Sequence, residues 1–314
     1  MGGTALDIRP INAPLGAEIV GVDLTRVDNE LFAEVRQAWL DHLVLVFREQ
    51  KLTDNQQMEF SRRFGQLDEV PIVSVGQKPR DNKYISVVSN VIENGVPIGG
   101  LGDDEVFWHS DTSYREYPPS ASVLYCLKVP NWGGDTGFSN MYLALETMAP
   151  ALRRRIEGLT VKNDTTYTAG GQLRAGFQPI NDLRKSPGAI HPIIRTHPET
   201  GRHALYLGRR LNSYLPGLEI EESERLLDEL WAHATQSSLA WHHKWQVGDV
   251  VIWDNRCTMH RRDNFDPHSY RIMHRAQAQE PTRPYYDLTK PAEPHARGRA
   301  WARSQSLGLP LIGP

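Results

Sequence analysis

Three segments in the last third of the chain indicate its architecture: LAWHHKWQ (239–246), GDVVIWDN (248–255) and SYRIMHRAQAQ (269–279). Each segment is short, rich in β-branched or aromatic residues, and close to Gly, Asp or Ser, which is typical of β-strands. A doubly wound parallel sheet would alternate such strands with helices, and these segments do not. We therefore expect antiparallel sheets.

The residues before them supply further strands and amphipathic helices, separated by many Gly and Pro residues. Strands are predicted at 17–24, 43–48, 83–89 and 120–129. Helices are predicted at 28–43 with Asp28 or Asn29 as cap, at 53–65 between a Thr53–Gln56 capping box and Gly65, at 140–158 with a break before Pro150, and at 222–235. The predicted fold class is mainly β with flanking helices, arranged as an antiparallel double sheet or jelly roll.

The composition fits a globular protein and argues against several kinds of partner. Of 314 residues, 39% are hydrophobic and 23% are charged, and the net charge is -3 with both signs interspersed. A nucleic-acid partner is therefore not expected. No apolar run approaches the roughly 20 residues of a membrane span, so no membrane partner is expected. Two cysteines, Cys126 and Cys257, are too few for a disulfide framework. We expect them to be reduced and buried, which favours a cytoplasmic location.

A metal site is suggested by FWHSDTSY (107–114), which places His109 two residues before Asp111. In an extended strand, residues i and i+2 point to one face, so both side chains could reach the same ion. A lone His-x-Asp pair is more often a surface pair, or a histidine that donates to a carboxylate. A metal site therefore needs a third ligand from distant sequence.

His260 is the favoured third ligand among the 12 histidines, because it follows an apolar strand and a polar turn in VVIWDNRCTMH (250–260). The pair His242 and His243 lies in a strand pattern that turns at most one of them inward. Two histidines and a carboxylate leave coordination positions open, which suits a non-haem Fe(II) that also binds a cosubstrate and dioxygen. A zinc hydrolase could use the same three ligands.

Two arginines in SYRIMHR (269–275) indicate an anion. Arg271 and Arg275 are four residues apart, so a strand would place both on one face, about 13 Å from each other. Burying a guanidinium is costly unless an anion meets it, and its fork of N–H donors fits a carboxylate or sulfonate. The alternative is that both arginines face solvent on an edge strand.

At these residues the sequence resembles the taurine dioxygenase and aryloxyalkanoate dioxygenase (TauD/TfdA) family of Fe(II)/2-oxoglutarate-dependent oxygenases. The matching motifs occur in this order: GAEIVGVDLTR (16–26), FGQLDEVP (64–71), WHSD (108–111), GGDTGFSNMY (133–142), HPIIRTHPETGRHALY (191–206), WDNRCTMHR (253–261) and YRIMHRA (270–276). The resemblance implies one dioxygenase domain over residues 1–280, folded as a double-stranded β-helix, a distorted jelly roll. Residues 281–314 lie outside it as a tail; the alternatives are that it wraps the domain or a partner subunit, or that it is loosely ordered.

The resemblance also implies residue roles. Three residues fall on the iron ligands: His109, Asp111 and His260. Thr136 and Arg271 fall on the residues that hold the distal carboxylate of 2-oxoglutarate. Arg275 falls on the arginine that, in several members, meets the acidic group of the primary substrate.

Two departures from the taurine enzymes concern the substrate-binding residues. Val70 stands where those enzymes have a histidine, and Glu105 stands where they have an asparagine before the iron motif. Val70 favours an apolar or aromatic substrate body, whereas Glu105, if it faces inward, favours an amino group. Taurine itself is therefore not the expected substrate.

The function implied by the resemblance is an Fe(II)-dependent dioxygenase that uses 2-oxoglutarate and O2 as cosubstrates. It would hydroxylate a small organic carboxylate or sulfonate, and break a C–O, C–S or C–N bond where the hydroxylated carbon carries that heteroatom. The alternatives are a zinc hydrolase on the same three ligands and a non-catalytic jelly-roll binding protein. A homo-oligomer, either a dimer or a tetramer, is also expected.

Overall fold

Strands dominate the computed structural model, which describes residues 6–70, 82–101 and 106–290. The strands are β1 (Asp7–Pro10), β2 (Ala17–Val20), β3 (Val44–Phe47), β4 (Ser86–Ser89), β5 (Ile92–Glu93), β6 (Val96–Pro97), β7 (Gly100–Leu101), β8 (Val106–His109), β9 (Pro119–Lys128), β10 (Thr136–Asn140), β11 (Thr160–Lys162), β12 (Ile190–Pro192), β13 (Ile194–Thr196), β14 (His203–Leu205), β15 (Ala240–His243), β16 (Val250–Asp254), β17 (Thr258–Arg262) and β18 (Ile272–Gln279). The α-helices are α1 (Asn29–His42), α2 (Asp54–Arg62), α3 (Met141–Glu146), α4 (Pro150–Ile156) and α5 (Ile220–Ala234).

Two principal sheets pack on one another through a shared apolar core. The larger has eight strands in the order β1-β2-β3-β16-β9-β18-β4-β7, and the smaller has four in the order β15-β10-β17-β8. Neighbouring strands are antiparallel except β2 with β3 and β4 with β7. Phe138 of β10 contacts Trp253 of β16 across the core, with ring centroids 5.5 Å apart. The predicted double-stranded β-helix with flanking helices is confirmed.

Strand β3 consists entirely of apolar residues because both of its faces are covered. All four of its residues are buried. Val44 and Val46 face the core between the sheets, whereas Leu45 and Phe47 face a second core beneath helices α1 and α2. A strand covered on both faces gains burial at every position, so its sequence is continuous rather than alternating.

Most predicted elements are confirmed, with shifts at their ends. The Asp28 side chain caps α1 by accepting from Leu31 N, and the Thr53–Gln56 capping box of α2 is complete. Helix α2 ends at Arg62 instead of continuing to Gly65, because the last residues form tighter i+3 hydrogen bonds. The helical region 140–158 is divided into α3 and α4, and Pro150 begins the second helix.

The last strand starts later than the sequence pattern suggested. Strand β18 begins at Ile272, and Arg271 lies just before it, with its backbone N–H donating to Asn90 Oδ1 at 3.0 Å. A bulge opposite Lys128 and Cys126 shifts the pairing at the start of this strand. The start of this strand is therefore irregular, but Arg271 and Arg275 still line one cavity, as the prediction of a common face requires.

The cysteine prediction is confirmed, since Cys126 and Cys257 are both free and buried. Among the described residues, no helix is both long enough and apolar enough to cross a membrane. The first residues of the predicted tail lie against the domain: Thr196 N donates to Tyr285 O at 2.7 Å, and Asp287 N donates to Thr196 Oγ1 at 2.8 Å. Residues 291–314 lie outside the described residues, so the role of that part of the tail stays a prediction.

Candidate functional site

Three side chains predicted as metal ligands converge between the sheets. His109 ends β8 and pairs directly with His260 in the middle of β17, and their ring centroids are 4.2 Å apart. Nε2 of each histidine lies 3.8 Å from Asp111 Oδ1. The candidate ligand atoms all lie within 4.8 Å of one another, and the three residues are 3–7% exposed.

Asp111 reaches this cluster by a route that the sequence pattern did not indicate. Strand β8 ends at His109, so the expected extended pairing of residues 109 and 111 on one strand face is wrong. The chain instead turns, with Thr112 at a φ of 40°, a conformation that costs a residue with a Cβ about 1–2 kcal/mol. Ser110 N donates to Gly208 O at 2.8 Å and fixes the turn against the next loop.

Neighbouring groups orient the ligand atoms. His109 Nδ1–H donates to Phe107 O at 2.7 Å, which leaves Nε2 without a proton and directed at the cluster. Asp111 Oδ2 accepts from Ser122 Oγ and Oδ1 accepts from Arg275, both at 2.8 Å. Asn255 Nδ2 donates in turn to Ser122 Oγ at 2.9 Å. The carboxylate plane is thus held from both oxygens.

The protonation states match those of metal ligands. Burial lowers the pKa of His260 to about 4 and the pKa of His109 well below its usual value. Burial alone would raise the pKa of Asp111, but the guanidinium of Arg275 keeps it well below its ordinary range. At neutral pH the site therefore contains two neutral imidazoles and one carboxylate, the forms that bind a divalent metal.

The donor set fits Fe(II). Two imidazole nitrogens and one carboxylate oxygen, all buried, form the facial set used by non-haem iron oxygenases. His260 Nδ1 has no hydrogen-bond partner in the described part of the chain, so packing against the rings of Phe138 and Trp253 orients this side chain. The three residues could therefore hold one ion with positions to spare.

A second cluster of potential ligands is a structural network. His197, Asp254 and Cys257 lie close together and are buried. His197 Nε2–H donates to Asp254 Oδ2 at 3.0 Å, while its Nδ1 accepts from Thr200 N at 3.2 Å. Arg256 forms two further hydrogen bonds with the same carboxylate. Burial raises the pKa of the Cys257 thiol well above its usual value, so this group offers no free ligand set.

Thr136 and Arg271 line a small cavity that also contains His109, His260 and Arg275. Arg271 is 2% exposed, and its side chain forms no ion pair within the described residues. Burial, reinforced by the nearby charge of Arg262, lowers the pKa of Arg271 to about 9. A buried cation without a partner marks a place for an anion.

Trp245 contacts both Thr136 and Arg271, and the sequence analysis missed it. Its Nε1–H donates to Thr136 Oγ1 at 3.0 Å, and the guanidinium of Arg271 lies 5.9 Å from its ring centroid. Because the Thr136 oxygen already accepts a hydrogen bond, its O–H remains available to a ligand. A signal was present: the alternation of Trp241, His243 and Trp245 predicts one common face.

Arg275 lies at the border between this cavity and a second one. The second cavity, beside Asp111, contains Tyr114 and two arginines that the sequence analysis missed, Arg174 and Arg209. Arg209 also lines a larger cavity of about 640 Å³, whose other walls include Trp108, Tyr167, Leu211 and Trp231. Burial, together with the charge of Arg174, lowers the pKa of Arg209 to about 10.

The two residues predicted to be near the substrate are less informative. Val70 is half-buried, and its N–H donates to Lys83 O at 2.8 Å. It is not among the residues that line the three cavities described above. Glu105 lies outside the described residues. The roles of Val70 and Glu105 stay predictions.

His243 is buried while His242 is 40% exposed on its side chain, so the prediction that at most one of the two turns inward is confirmed.

Comparison with known proteins gives one consistent result. The family model described as "Taurine catabolism dioxygenase TauD, TfdA family" matches residues 7–277. The (S)-phenoxypropionate/alpha-ketoglutarate-dioxygenase of Sphingobium herbicidovorans is 35% identical over 274 residues, which cover 86% of this chain and 93% of that enzyme. The alpha-ketoglutarate-dependent 2,4-dichlorophenoxyacetate dioxygenase of Cupriavidus pinatubonensis is 32% identical over 280 residues, covering 85% of this chain and 95% of that enzyme.

Solved structures agree with these relatives. The crystal structure of AAD-2 in complex with Mn(II) and N-oxalylglycine matches with a TM-score of 0.72 and 30% identity, over 90% of this chain and 100% of that one. A taurine dioxygenase from Burkholderia xenovorans matches with a TM-score of 0.69 and 31% identity, over 88% of this chain and 91% of that one.

Proposed function

We propose residue roles and a substrate class on one premise: the chain belongs to the taurine catabolism dioxygenase TauD, TfdA family. The protein is an Fe(II)- and 2-oxoglutarate-dependent dioxygenase, an oxidoreductase that uses O2 as its second cosubstrate. Family membership decides for the oxygenase over the zinc hydrolase and the non-catalytic binding protein, which the ligand set alone left open.

His109, Asp111 and His260 are the proposed iron ligands, because their donor atoms converge in the protonation states that a metal requires. Bound Fe(II) supplies the activation of dioxygen that couples the decarboxylation of 2-oxoglutarate to the oxidation of a substrate C–H bond. The chain's own contribution is to orient these ligands, hold both organic molecules and exclude water. Phe107 O and Ser122 carry out the first task by fixing His109 and Asp111.

Arg271 and Thr136 are proposed to hold the distal carboxylate of 2-oxoglutarate. The guanidinium supplies a fork of charged donors and Thr136 supplies one O–H, both in the cavity that His109 and His260 line. Trp245 is proposed as a positioning residue, since its hydrogen bond directs the Thr136 O–H toward that carboxylate.

We predict that Trp245→Phe weakens 2-oxoglutarate binding about fivefold and leaves kcat nearly unchanged. Phenylalanine keeps a ring beside Arg271 but removes the donor to Thr136, and a net hydrogen bond contributes about 1 kcal/mol. The measurement is the KM for 2-oxoglutarate together with its Kd from calorimetry. Trp132→Phe is the matched control, because Trp132 is 54% exposed on the surface. A fall in kcat with an unchanged KM would contradict the positioning role.

The proposed primary substrate is a small organic acid with an apolar or aromatic body. The observation that carries this proposal is that two neighbouring cavities share Arg209 as part of their walls: the first, beside Asp111, is rich in arginine, and the second is lined by Trp108, Leu211 and Trp231. Relatives named for phenoxypropionate and 2,4-dichlorophenoxyacetate act on molecules of this shape. Hydroxylation of a carbon that bears an ether oxygen would break the C–O bond.

A substrate panel tests this proposal. Aryloxyalkanoates, aliphatic carboxylates, sulfonates, sulfate esters and amino acids are each added with Fe(II), 2-oxoglutarate and O2, and substrate-dependent succinate release is measured. We expect aryl acids to stimulate release most. A neutral compound as the best substrate would overturn the proposal.

We also propose that the protein is a cytoplasmic homo-oligomer, either a dimer or a tetramer. The two free, buried cysteines support a reducing compartment.

Arg275 is proposed to meet the acid group of the substrate. Its guanidinium bonds to Asp111 Oδ1, yet its Nε has no partner among the described residues and it lines the arginine-rich cavity. We predict that Arg275→Leu lowers kcat/KM for the acid about 30-fold or more, because removing one partner of a desolvated charge pair costs at least about 2 kcal/mol. The visible absorption band that needs both Fe(II) and 2-oxoglutarate should persist under anaerobic conditions.

Ser122→Ala is the matched control for Arg275→Leu. It removes the hydrogen bond to the other oxygen of Asp111 and leaves every arginine in place. If both variants lose iron and the absorption band alike, Arg275 acts through Asp111 rather than on the substrate. If Arg275→Leu keeps full substrate-stimulated succinate release, it has no role in binding the acid.

A further inference from the structure

Two arginines beside the proposed metal site are held next to each other by one backbone oxygen. Arg209 Nη1 donates to Tyr167 O at 2.7 Å, and Arg174 Nε donates to the same oxygen at 3.2 Å. Both guanidiniums also lie near the Tyr114 ring, at 5.2 and 4.7 Å from its centroid. Two like charges are thus fixed within a few ångströms, although they repel each other.

Asp164 attracts both arginines and Asp111 attracts Arg209, but neither carboxylate is close enough to form an ion pair with them. Neither Arg174 nor Arg209 forms an ion pair within the described part of the chain, whereas the neighbouring Arg210 pairs with carboxylates of helix α5. Asp164 is close by, but its two oxygens accept from Thr166 N and Asn212 Nδ2. Arg209 is only 8% exposed and its Nε has no partner. A buried guanidinium without an ion pair, beside the half-buried guanidinium of Arg174, favours an anion nearby.

The charge of that anion follows from the number of cations. Arg275 pairs with Asp111, whereas Arg174 and Arg209 form no ion pair among the described residues, so an anion with two charges could pair with both. Because both guanidiniums donate to Tyr167 O, they lie side by side, and their remaining N–H donors belong to one small region. A compact tetrahedral group with two charges and three acceptor oxygens matches such a pair of forks.

We propose that the substrate's acid group is a phosphoryl dianion, a phosphonate or phosphate monoester, bound by Arg174 and Arg209 with Arg275 beside them. This inference rests on the proposed function and narrows its substrate class. The apolar body occupies the cavity lined by Trp108, Leu211 and Trp231, to which Arg209 also belongs. The acid group therefore lies where the two cavities meet, next to Asp111.

The test compares phenethyl phosphate with phenethyl sulfate. The two molecules share the same body and a tetrahedral head, but the phosphate carries a charge of about -1.5 to -2 near pH 7 and the sulfate carries one charge. Binding of each to the metal-free protein is measured by calorimetry, so that neither can coordinate iron. We expect the phosphate to bind about tenfold more tightly or better, as one additional charge-assisted hydrogen bond would produce. Equal affinities in the unmodified protein would overturn the inference without any variant.

Two variants test whether Arg174 and Arg209 cause the preference for phosphate over sulfate. Arg209→Gln and Arg174→Gln should each bring the ratio of the two affinities toward one, while sulfate binding falls less than phosphate binding. Arg155→Gln is the charge-matched control; its guanidinium pairs with Glu229 on the surface, at 2.6 Å, and should leave the ratio unchanged. A phosphate preference that survives in both Arg209→Gln and Arg174→Gln would refute the assignment to these residues.

Turnover separates this inference from the function on which it rests. Phenethyl phosphonate, phenethyl sulfonate and phenylacetate are compared for stimulated succinate release with iron present. If the phosphonate has the highest kcat/KM, the inference is supported. If the monoanions stimulate release equally well, the inference fails while the proposed small-acid substrate stands. If no acid of any kind stimulates release and neutral compounds do, the proposed substrate class itself is wrong.

Discussion

Replacing His109, Asp111 or His260 with alanine is expected to abolish substrate-dependent consumption of 2-oxoglutarate. Each change removes one of the three donor atoms that converge within 4.8 Å. Residues that merely orient a metal ligand cost about 10–100-fold in affinity or activity when removed, so the loss of a ligand itself should exceed about 100-fold. The measurements are 2-oxoglutarate consumption and iron stoichiometry after dialysis.

His242→Ala is the control for these three variants. His242 is a histidine of the same small sheet, but its side chain is 40% exposed and pairs with Asp263, so its removal should affect turnover little. Thermal unfolding should show that all variants fold. Asp111→Ala should be the least stable, because it leaves Arg275 without its partner. Full turnover with stoichiometric iron in any one of the three variants would rule that residue out as a ligand.

The fold was predictable from sequence where local signals and burial agree. The capping box at Thr53 and the cap at Asp28 are local features that need no tertiary partner, and both helices begin where expected. The apolar run of β3 reads as a buried strand because both of its faces are covered. The start of β18 was misplaced because a bulge and the bond from Arg271 N to Asn90 depend on residues far away in the chain.

The site was predictable only in part, because some of its geometry depends on contacts between residues that are far apart in the chain. His109 and His260 were found because each follows or lies in a strand with a recognisable pattern, although they meet only through the pairing of β8 with β17. The turn that brings in Asp111 depends on the contact between Ser110 and the loop at Gly208. An alanine Cβ at Gly208 would lie 1.8 Å from Asn163 Oδ1, so this close approach requires glycine, but no local pattern predicts it.

The partners of the arginines near the site could not be predicted from the sequence. Arg174 and Arg209 lie in segments without strand or helix periodicity, and they are brought together by Tyr167 O and the Tyr114 ring. Arg195 is buried too, but its Nη2 donates to both carboxylate oxygens of Glu280. The sequence does not distinguish an arginine that pairs with a carboxylate of the same chain from an arginine that is available to bind a ligand. That distinction needs the three-dimensional positions of the carboxylates.

Arg271→Leu provides the sharpest test of the proposed cosubstrate site. The guanidinium is 2% exposed and has no ion-pair partner among the described residues. Removing one partner of a desolvated charge pair costs about 2–5 kcal/mol. The Kd for 2-oxoglutarate should therefore increase by a factor between about 30 and a few thousand. Thr136→Val removes one hydrogen bond to a charged group and should cost less, about 1.5–3 kcal/mol. Calorimetry and the KM for 2-oxoglutarate measure both.

The stability of the ligand-free protein distinguishes a binding role of Arg271 from a structural one. A guanidinium that is buried without a partner destabilises the folded state, so Arg271→Leu should leave the ligand-free unfolding midpoint unchanged or raise it. The same change at a structural arginine should lower it: Arg195→Leu would leave Glu280 as an unpaired buried charge, a loss of about 3–5 kcal/mol. N-oxalylglycine should raise the midpoint of the unmodified protein and not that of Arg271→Leu. If Arg271→Leu is instead strongly destabilised and still binds 2-oxoglutarate normally, Arg271 supports the fold and the cosubstrate carboxylate is held elsewhere.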